Sequence, residues 1–260
     1  MSLSDNAAAA RWNEPAVAFA FEAETPFGPL WLDIEAAGPA CAAEAARRLG
    51  DVEPLLSVLD TWLDAALDWQ WRAVDAFARP PGLAVAHWAG GGLAARVALP
   101  WRLLRNRPSP GSSLVWEAAP TRCVLATLEL ARGEEAMLEP GGVVLLPASF
   151  EPEWVVLLRA EGEAPGEGRV VTLAQPEHPT WGLPSVDQLP KGTWEVRCAL
   201  SAPLASEVLA GYRELDTAIR PDLKAGLQLW HVPPGEPPRR RASGKLLPWG
   251  QGHALWLTSE

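Results

Sequence analysis

Four histidines, three cysteines and a few acidic pairs are the residues with which this chain of 260 amino acids can do chemistry, and their spacing decides what that is. His87, His178, His231 and His253 stand far apart. No two have the separation that sets metal ligands on one helix or strand, and no His-Glu-x-x-His run occurs. Cys41, Cys123 and Cys198 are odd in number and widely separated, which fits neither a metal clip nor a disulfide framework. Reduced thiols in a cytosol are the expectation. Gly90-Gly-Gly92 follows a candidate strand but lacks the Gly-Lys-Ser/Thr that completes a phosphate loop, so it reads as a hairpin turn. Ser112-Ser113 has no glycine elbow to expose a nucleophile. Glu134-Glu135 and Glu161-Gly-Glu163 with Glu167 raise the paired carboxylates of glycoside hydrolysis, against the more ordinary reading of solvated loop charge. The expectation is a non-enzyme with no catalytic residue, no cofactor and no metal.

Charge and composition narrow the partners. The net charge of −10 disfavours nucleic acid and anionic membranes, both of which select a basic face. The short basic run Arg239-Arg240-Arg241 reads as a solvated strand entry. No apolar run approaches a membrane span, and Met1-Ser-Leu-Ser-Asp-Asn6 has neither the basic start nor the apolar core of a signal peptide. A cytoplasmic location without direct membrane insertion is expected. Fourteen tryptophans stand against one tyrosine and five phenylalanines. Tryptophan suits cores and interfaces as well as platforms for sugars or proline-rich peptides. Their spread along the whole chain favours a structural use. A Trp-rich carbohydrate- or peptide-binding protein and an enzyme with dispersed carboxylates stay open as alternatives.

The elements follow from periodicity. Alternation predicts strands over 16–24 and 30–35, joined at Pro26-Phe-Gly-Pro29. An alanine-rich helix is expected over 40–49, and apolar spacing of three and four residues predicts a long helix over 54–77 carrying Trp62, Trp69 and Trp71. Strands over 83–88 and 93–99 flank the triple glycine, a short helix covers 100–104, and 106–113 is a polar, proline-rich break. Beyond it the texture is β-rich: strands over 123–130, 143–146, 154–160 and 169–173, then a linker over 175–192 with four prolines. The last segment repeats this plan with strands over 194–200, 227–232, 243–249 and 253–258 and a helix over 207–215. The fold class so read is α+β: a mixed N-terminal domain over 1–113, a first β module over 114–175 and a second over 192–260. The terminal hairpin, Ser243–Trp249 and His253–Thr258 around Gly250-Gln-Gly252, is apolar on both faces and so demands cover on both sides.

Leu128-Glu-Leu130 with Leu138-Glu-Pro-Gly-Gly-Val-Val-Leu-Leu146 resembles the opening of the surface-presentation-of-antigens (SPOA) module, with Gly142 where that family often has aspartate. Ala242-Ser-Gly-Lys-Leu-Leu-Pro-Trp-Gly-Gln-Gly-His-Ala-Leu-Trp-Leu-Thr258 resembles the close of the same module. Two such modules behind a longer N-terminal domain resemble the cytoplasmic-ring, or sorting-platform, proteins of type III secretion systems, which are similar to flagellar motor switch proteins. The resemblance implies small β units that dimerise by interlocking strands. It also implies a scaffold that links the membrane ring to the stalk and ATPase and helps queue substrates, peripheral to the inner membrane. The implied partners are the ATPase, its stalk regulator, the membrane-ring adaptor and another SPOA module or a second copy. Val143, Leu145, Leu246, Trp249, Leu255, Trp256 and Leu257 are the candidate interface residues.

Overall fold

A computed structural model describes residues 19–36, 41–72, 82–131, 133–147, 154–163, 167–174, 180–182, 192–216 and 218–259. The chain divides into two compact units, Met1–Glu117 and Ala118–Glu260. Of the described residues, 45% lie in strands and 17% in helices, as three antiparallel sheets with four α-helices. The protein is therefore mostly β, and the expected α+β class with a mixed helical N-terminal domain is overturned.

The cause is local to the first unit. Its strands are β1 (Phe19–Ala23), β2 (Leu30–Glu35), β3 (Gln70–Arg72), β4 (Ala84–Gly90), β5 (Leu93–Leu99) and β6 (Val115–Trp116), in the sheet order β3-β1-β2-β5-β4-β6. Helices α1 (Ala42–Asp51), α2 (Glu53–Leu63) and α3 (Trp101–Arg105) complete it. The periodicity over 54–77 predicts one long helix, but α2 stops at Leu63. Asp64 turns left-handed (φ 53°), Asp60 O accepts from Ala65 N at 3.1 Å, and Asp60 Oδ1 accepts from Leu67 N at 3.0 Å. One aspartate thus supplies two acceptors that end the helix, which an apolar count does not register. Seven residues later the chain joins the sheet as β3, with Trp71 opposite Phe21. Pairing β3 with the open side of β1 outweighs local helix preference. Residues 73–77 of the expected helix lie outside the described residues.

Elsewhere in this unit pattern and structure agree. Leu30, Leu32 and Ile34 on β2 are fully buried, and Trp31 and Asp33 on its other face are nearly so. Gly90 pairs with Leu93 and the φ values of Gly91 and Gly92 are 58° and 80°, so the glycine run is the two-residue turn of a hairpin whose centre needs positive φ twice. The proline-rich break is held against α2 in this unit, where Trp62 Nε1 donates to Pro108 O at 2.6 Å.

The second unit has strands β7 (Ala118–Ala119), β8 (Thr121–Leu128), β9 (Val143–Leu145), β10 (Trp154–Ala160), β11 (Arg169–Ala174), β12 (Thr180–Gly182), β13 (Trp194–Ala199), β14 (Leu204–Ala205), β15 (Leu227–His231), β16 (Arg239–Trp249) and β17 (Gly252–Thr258), with the short helix α4 (Ser206–Ala210). Nine of these strands form one antiparallel sheet in the order β12-β11-β10-β8-β13-β15-β16-β17-β9; β14 pairs with β7 separately. Residues 114–175 and 192–260 thus share a sheet. The first long strands of the two segments, β8 and β13, meet at its centre. In the second segment β15 lies between β13 and β16. Its counterpart in chain order, β9, is missing from the place between β8 and β10 and lies on β17 instead. The expected helix over 207–215 ends at Ala210, where Gly211 takes a left-handed φ of 88°. Strand β16 begins at Arg239 and not at Ser243, so the basic run is paired strand, with Arg239 opposite His231 and Arg240 opposite Trp230.

Gly244 shows why a glycine sits inside β16. A Cβ there would overlap the Trp256 carbonyl oxygen and come within 2.6 Å of Leu255 Cδ1. Gly244→Ala should therefore lower stability by about 1–3 kcal/mol, the usual cost of overpacking. Urea denaturation checks this: the midpoint falls while the slope stays unchanged.

Candidate interaction edge

The edge of the nine-stranded sheet is built by β9 on β17. Gly141 N donates to Leu257 O at 2.8 Å, Leu257 N to Gly142 O at 2.9 Å, and Leu146 N to His253 O at 3.1 Å. Antiparallel pairing alternates inward- and outward-facing backbone groups, so Val143 and Leu145 direct their N–H and C=O away from β17. Among the described residues no strand lies beyond them.

Residues opposite each other in a ladder share a face. Val143 faces Trp256, Leu145 faces Ala254, Leu247 faces Ala254, and Trp249 faces Gly252. Val143, Leu145, Trp249 and Trp256 are 40%, 50%, 48% and 40% exposed. They form one apolar patch across three strands. The other face is core: Val144, Leu255 and Leu257 are buried, and Leu246 is half-buried. His253, on that face, meets the buried Trp154 of β10 edge-on at 5.3 Å between ring centroids. The structure thus sorts the seven candidate interface residues. Leu255 and Leu257 hold the fold, Leu246 lies between, and the other four stand at the surface.

Mid-sheet lies a charged network that motif reading missed. Arg159 on β10 donates to Glu195 on β13 through Nη1 at 3.0 Å and Nη2 at 2.8 Å, and its Nε reaches Glu167 O at 3.2 Å. Arg197, two residues from Glu195 and so on the same face, donates from Nε to Glu195 Oε2 at 2.7 Å. All three side chains are at most 7% exposed. Arg197 packs 4.5 Å from the Trp230 ring. Burial pushes the Glu195 carboxyl up, but Arg159 and Arg197 outweigh it and leave its pKa below the ordinary 4.5. The available signal was an acid and a base at positions i and i+2 of an otherwise apolar strand.

The other candidates separate. His87 pairs with Glu117 at 2.5 Å, His231 stacks on Trp194 at 4.6 Å, and His178 lies outside the described residues. Cys123 and Cys198 are buried and opposite each other on β8 and β13, and Cys41 is exposed. The hydrogen bond with Cys198, and then burial, pushes the Cys123 thiol up and keeps it protonated. Glu161 pairs with Arg122 at 3.2 Å, and Glu134 accepts from Ala131 N at 2.8 Å. Among the described residues no three His, Cys, Asp or Glu gather as a metal site, and no helix is long and apolar enough to cross a membrane. Of the tryptophans, 31, 62, 88, 101, 116, 154 and 194 are buried. No family model, curated protein or solved structure matches the chain.

Glu195→Gln leaves two guanidinium groups in the interior without their counter-charge and should cost about 3–5 kcal/mol. The pH dependence has a fixed sign. A depressed carboxyl contributes fully above its ordinary 4.5 and is lost as pH falls through the folded value. Wild-type stability should drop on acidification through that window, and the variant should drop less, by denaturation at several pH values.

Proposed function

We propose that the chain is a structural scaffold whose two SPOA-like β segments interlock. In this reading it belongs to the cytoplasmic ring of a type III protein secretion apparatus. The observation that carries the reading is the placement of β9. A strand from the first segment completes the sheet of the second, while β8 and β13 pair at the centre. Strand exchange of this kind lets small β units bury hairpins that neither can cover alone. The step over 138–146 that resembles the SPOA opening is the stretch that makes the exchange.

The patch of Val143, Leu145, Trp249 and Trp256 then has a use. Exposed apolar side chains beside an unpaired strand edge are what a second β module takes up. The occupant in this proposal is another copy of the chain, adding to the ring. The membrane-ring adaptor, stalk regulator and ATPase would be reached from other surfaces. The chain would then act at the inner membrane through its partners, without inserting in it.

The test separates assembly from folding. Trp256→Asp or Val143→Asp should leave the circular dichroism spectrum unchanged and weaken self-association at least about tenfold, as loss of an interface anchor does. Light scattering on a sizing column reads this directly. Leu255→Asp should instead unfold the second unit, because that side chain is fully buried. A wild type that stays monomeric at every concentration, and that recovers neither ATPase nor stalk regulator from its own host, would remove the ring assignment.

A further inference from the structure

The face of the sheet that carries the Arg159–Glu195–Arg197 network also opens into a cavity of about 430 Å³ in the second unit. Its wall brings together β8, β10, β13 and β15 through Arg122, Arg159, Arg197 and Trp230, and the turn Glu161–Glu163 forms part of its rim. The volume is in the range of small-molecule sites. Charge is layered with depth. Inside are two buried guanidinium groups and one buried carboxylate, an excess of one positive charge. The acids at the mouth keep their charge but lie nearer to solvent. Glu163 Oε2 accepts from Ala160 N at 2.6 Å, and Glu161 is 57% exposed beside Arg122. Solvent screens the outer charges far more than the inner ones, so the floor stays positive.

Arg197 gives the sharper observation. Its Nε and Nη2 both reach Glu195 Oε2 at 2.7 Å, while Nη1 donates to no described residue. The side chain is 6% exposed and lines the cavity. A guanidinium presents five N–H donors, and Glu195, also engaged by Arg159, cannot accept them all. Burial, together with the like charges of Arg159 and Arg122, pulls Arg197 below its ordinary value against the opposing pull of Glu195. Arg122 stands above, 5.6 Å from the Trp230 ring, with its own guanidinium at the mouth. Trp230 is held in place by its Nε1–H, which donates to Gln228 Oε1 at 3.0 Å.

We propose that this cavity is a binding site for a small molecule bearing one oxyanion, a carboxylate or a phosphate, which accepts from Arg197 Nη1 and from Arg122. A planar or tetrahedral oxyanion matches the fork geometry of arginine. It would also supply the negative charge that the buried network lacks. The site is independent of the ring assignment: it needs only the folded second unit.

The experiment uses the full chain, with inorganic phosphate and acetate as probes at constant ionic strength set by chloride, read by calorimetry. At least one of the two should bind with a dissociation constant in the millimolar range or tighter; phenyl phosphate against benzoate then tells a phosphoryl from a carboxylate source. Arg122→Gln alters an exposed side chain and should fold normally, yet weaken binding about tenfold, the worth of one hydrogen bond to a charged group. Glu161→Gln removes a rim acid and should tighten binding, a gain that a purely structural role would not produce. Heats no different from chloride for all probes would overturn the proposal. So would equal affinity in wild type and Arg122→Gln, or a Glu161→Gln variant that binds no tighter.

Discussion

A strand that ends a sheet must have its apolar side chains covered on at least one face and its backbone groups paired on at least one side. The second unit depends on how that requirement is met for β17. Leu255 and Leu257 supply the covered face, and Gly244 lets β16 approach closely from one side. On the other side β9 arrives from more than a hundred residues earlier in the chain. Without it, β17 would be the terminal strand of the sheet. With it, the terminal position passes to β9, whose three residues alternate exposed, buried, exposed. The two β segments therefore cannot be regarded as beads on a string: each contributes strands to a surface the other needs.

The centre of the same sheet is held differently. The β8·β13 ladder shifts register between Val196 and Arg197, with Leu125 as the extra residue. Bulges of this kind re-aim side chains. Here the strand carries Glu195 and Arg197 on one face, and both find partners across four strands. Buried ion pairs add little net stability over apolar packing, because desolvation offsets the attraction. Their effect is on specificity: a slip of register by one residue would strand three charges in the core. The network ties β13 to β10 across β8, and so joins the two segments. The cavity beside it is a consequence of the same placement.

Much of this was legible in the chain. Strand β10 has the bounds expected from the sequence, 154–160, and Gly91-Gly92 turn as a two-residue hairpin loop requires. The terminal hairpin closes around Gly250, whose φ of 60° no branched residue would adopt easily. Of the four surface residues of the edge, Trp249 and Trp256 are candidates through the two-sided apolar hairpin, and Val143 and Leu145 through the step over 138–146 that resembles the SPOA opening. What alternation could not do was say which side the chain itself covers; Leu255 and Trp256 are adjacent and equally apolar, and only the register separates core from surface. The long helix failed for a different reason. Asp60 caps it through a side-chain acceptor, and β3 then gains a partner in β1, neither of which is written in the local period. The arginine network is hard to read because Arg159 lies 36 residues from Glu195 and the close pair Glu195 and Arg197 belongs to no motif.

Strand exchange is the claim on which the scaffold reading rests, and one cross-link tests it. Val143 and Trp256 face each other across a pair that does not exchange hydrogen bonds, where Cα atoms come closest. Replacing both with cysteine in a Cys41→Ser background, then oxidising gently, places a disulfide within reach of the usual geometry. A bond between these two positions within one chain is expected, formed quickly and identified by mass spectrometry of the linked peptides. Absence of that bond, or a bond found solely between chains, would contradict the placement of β9 on its own β17.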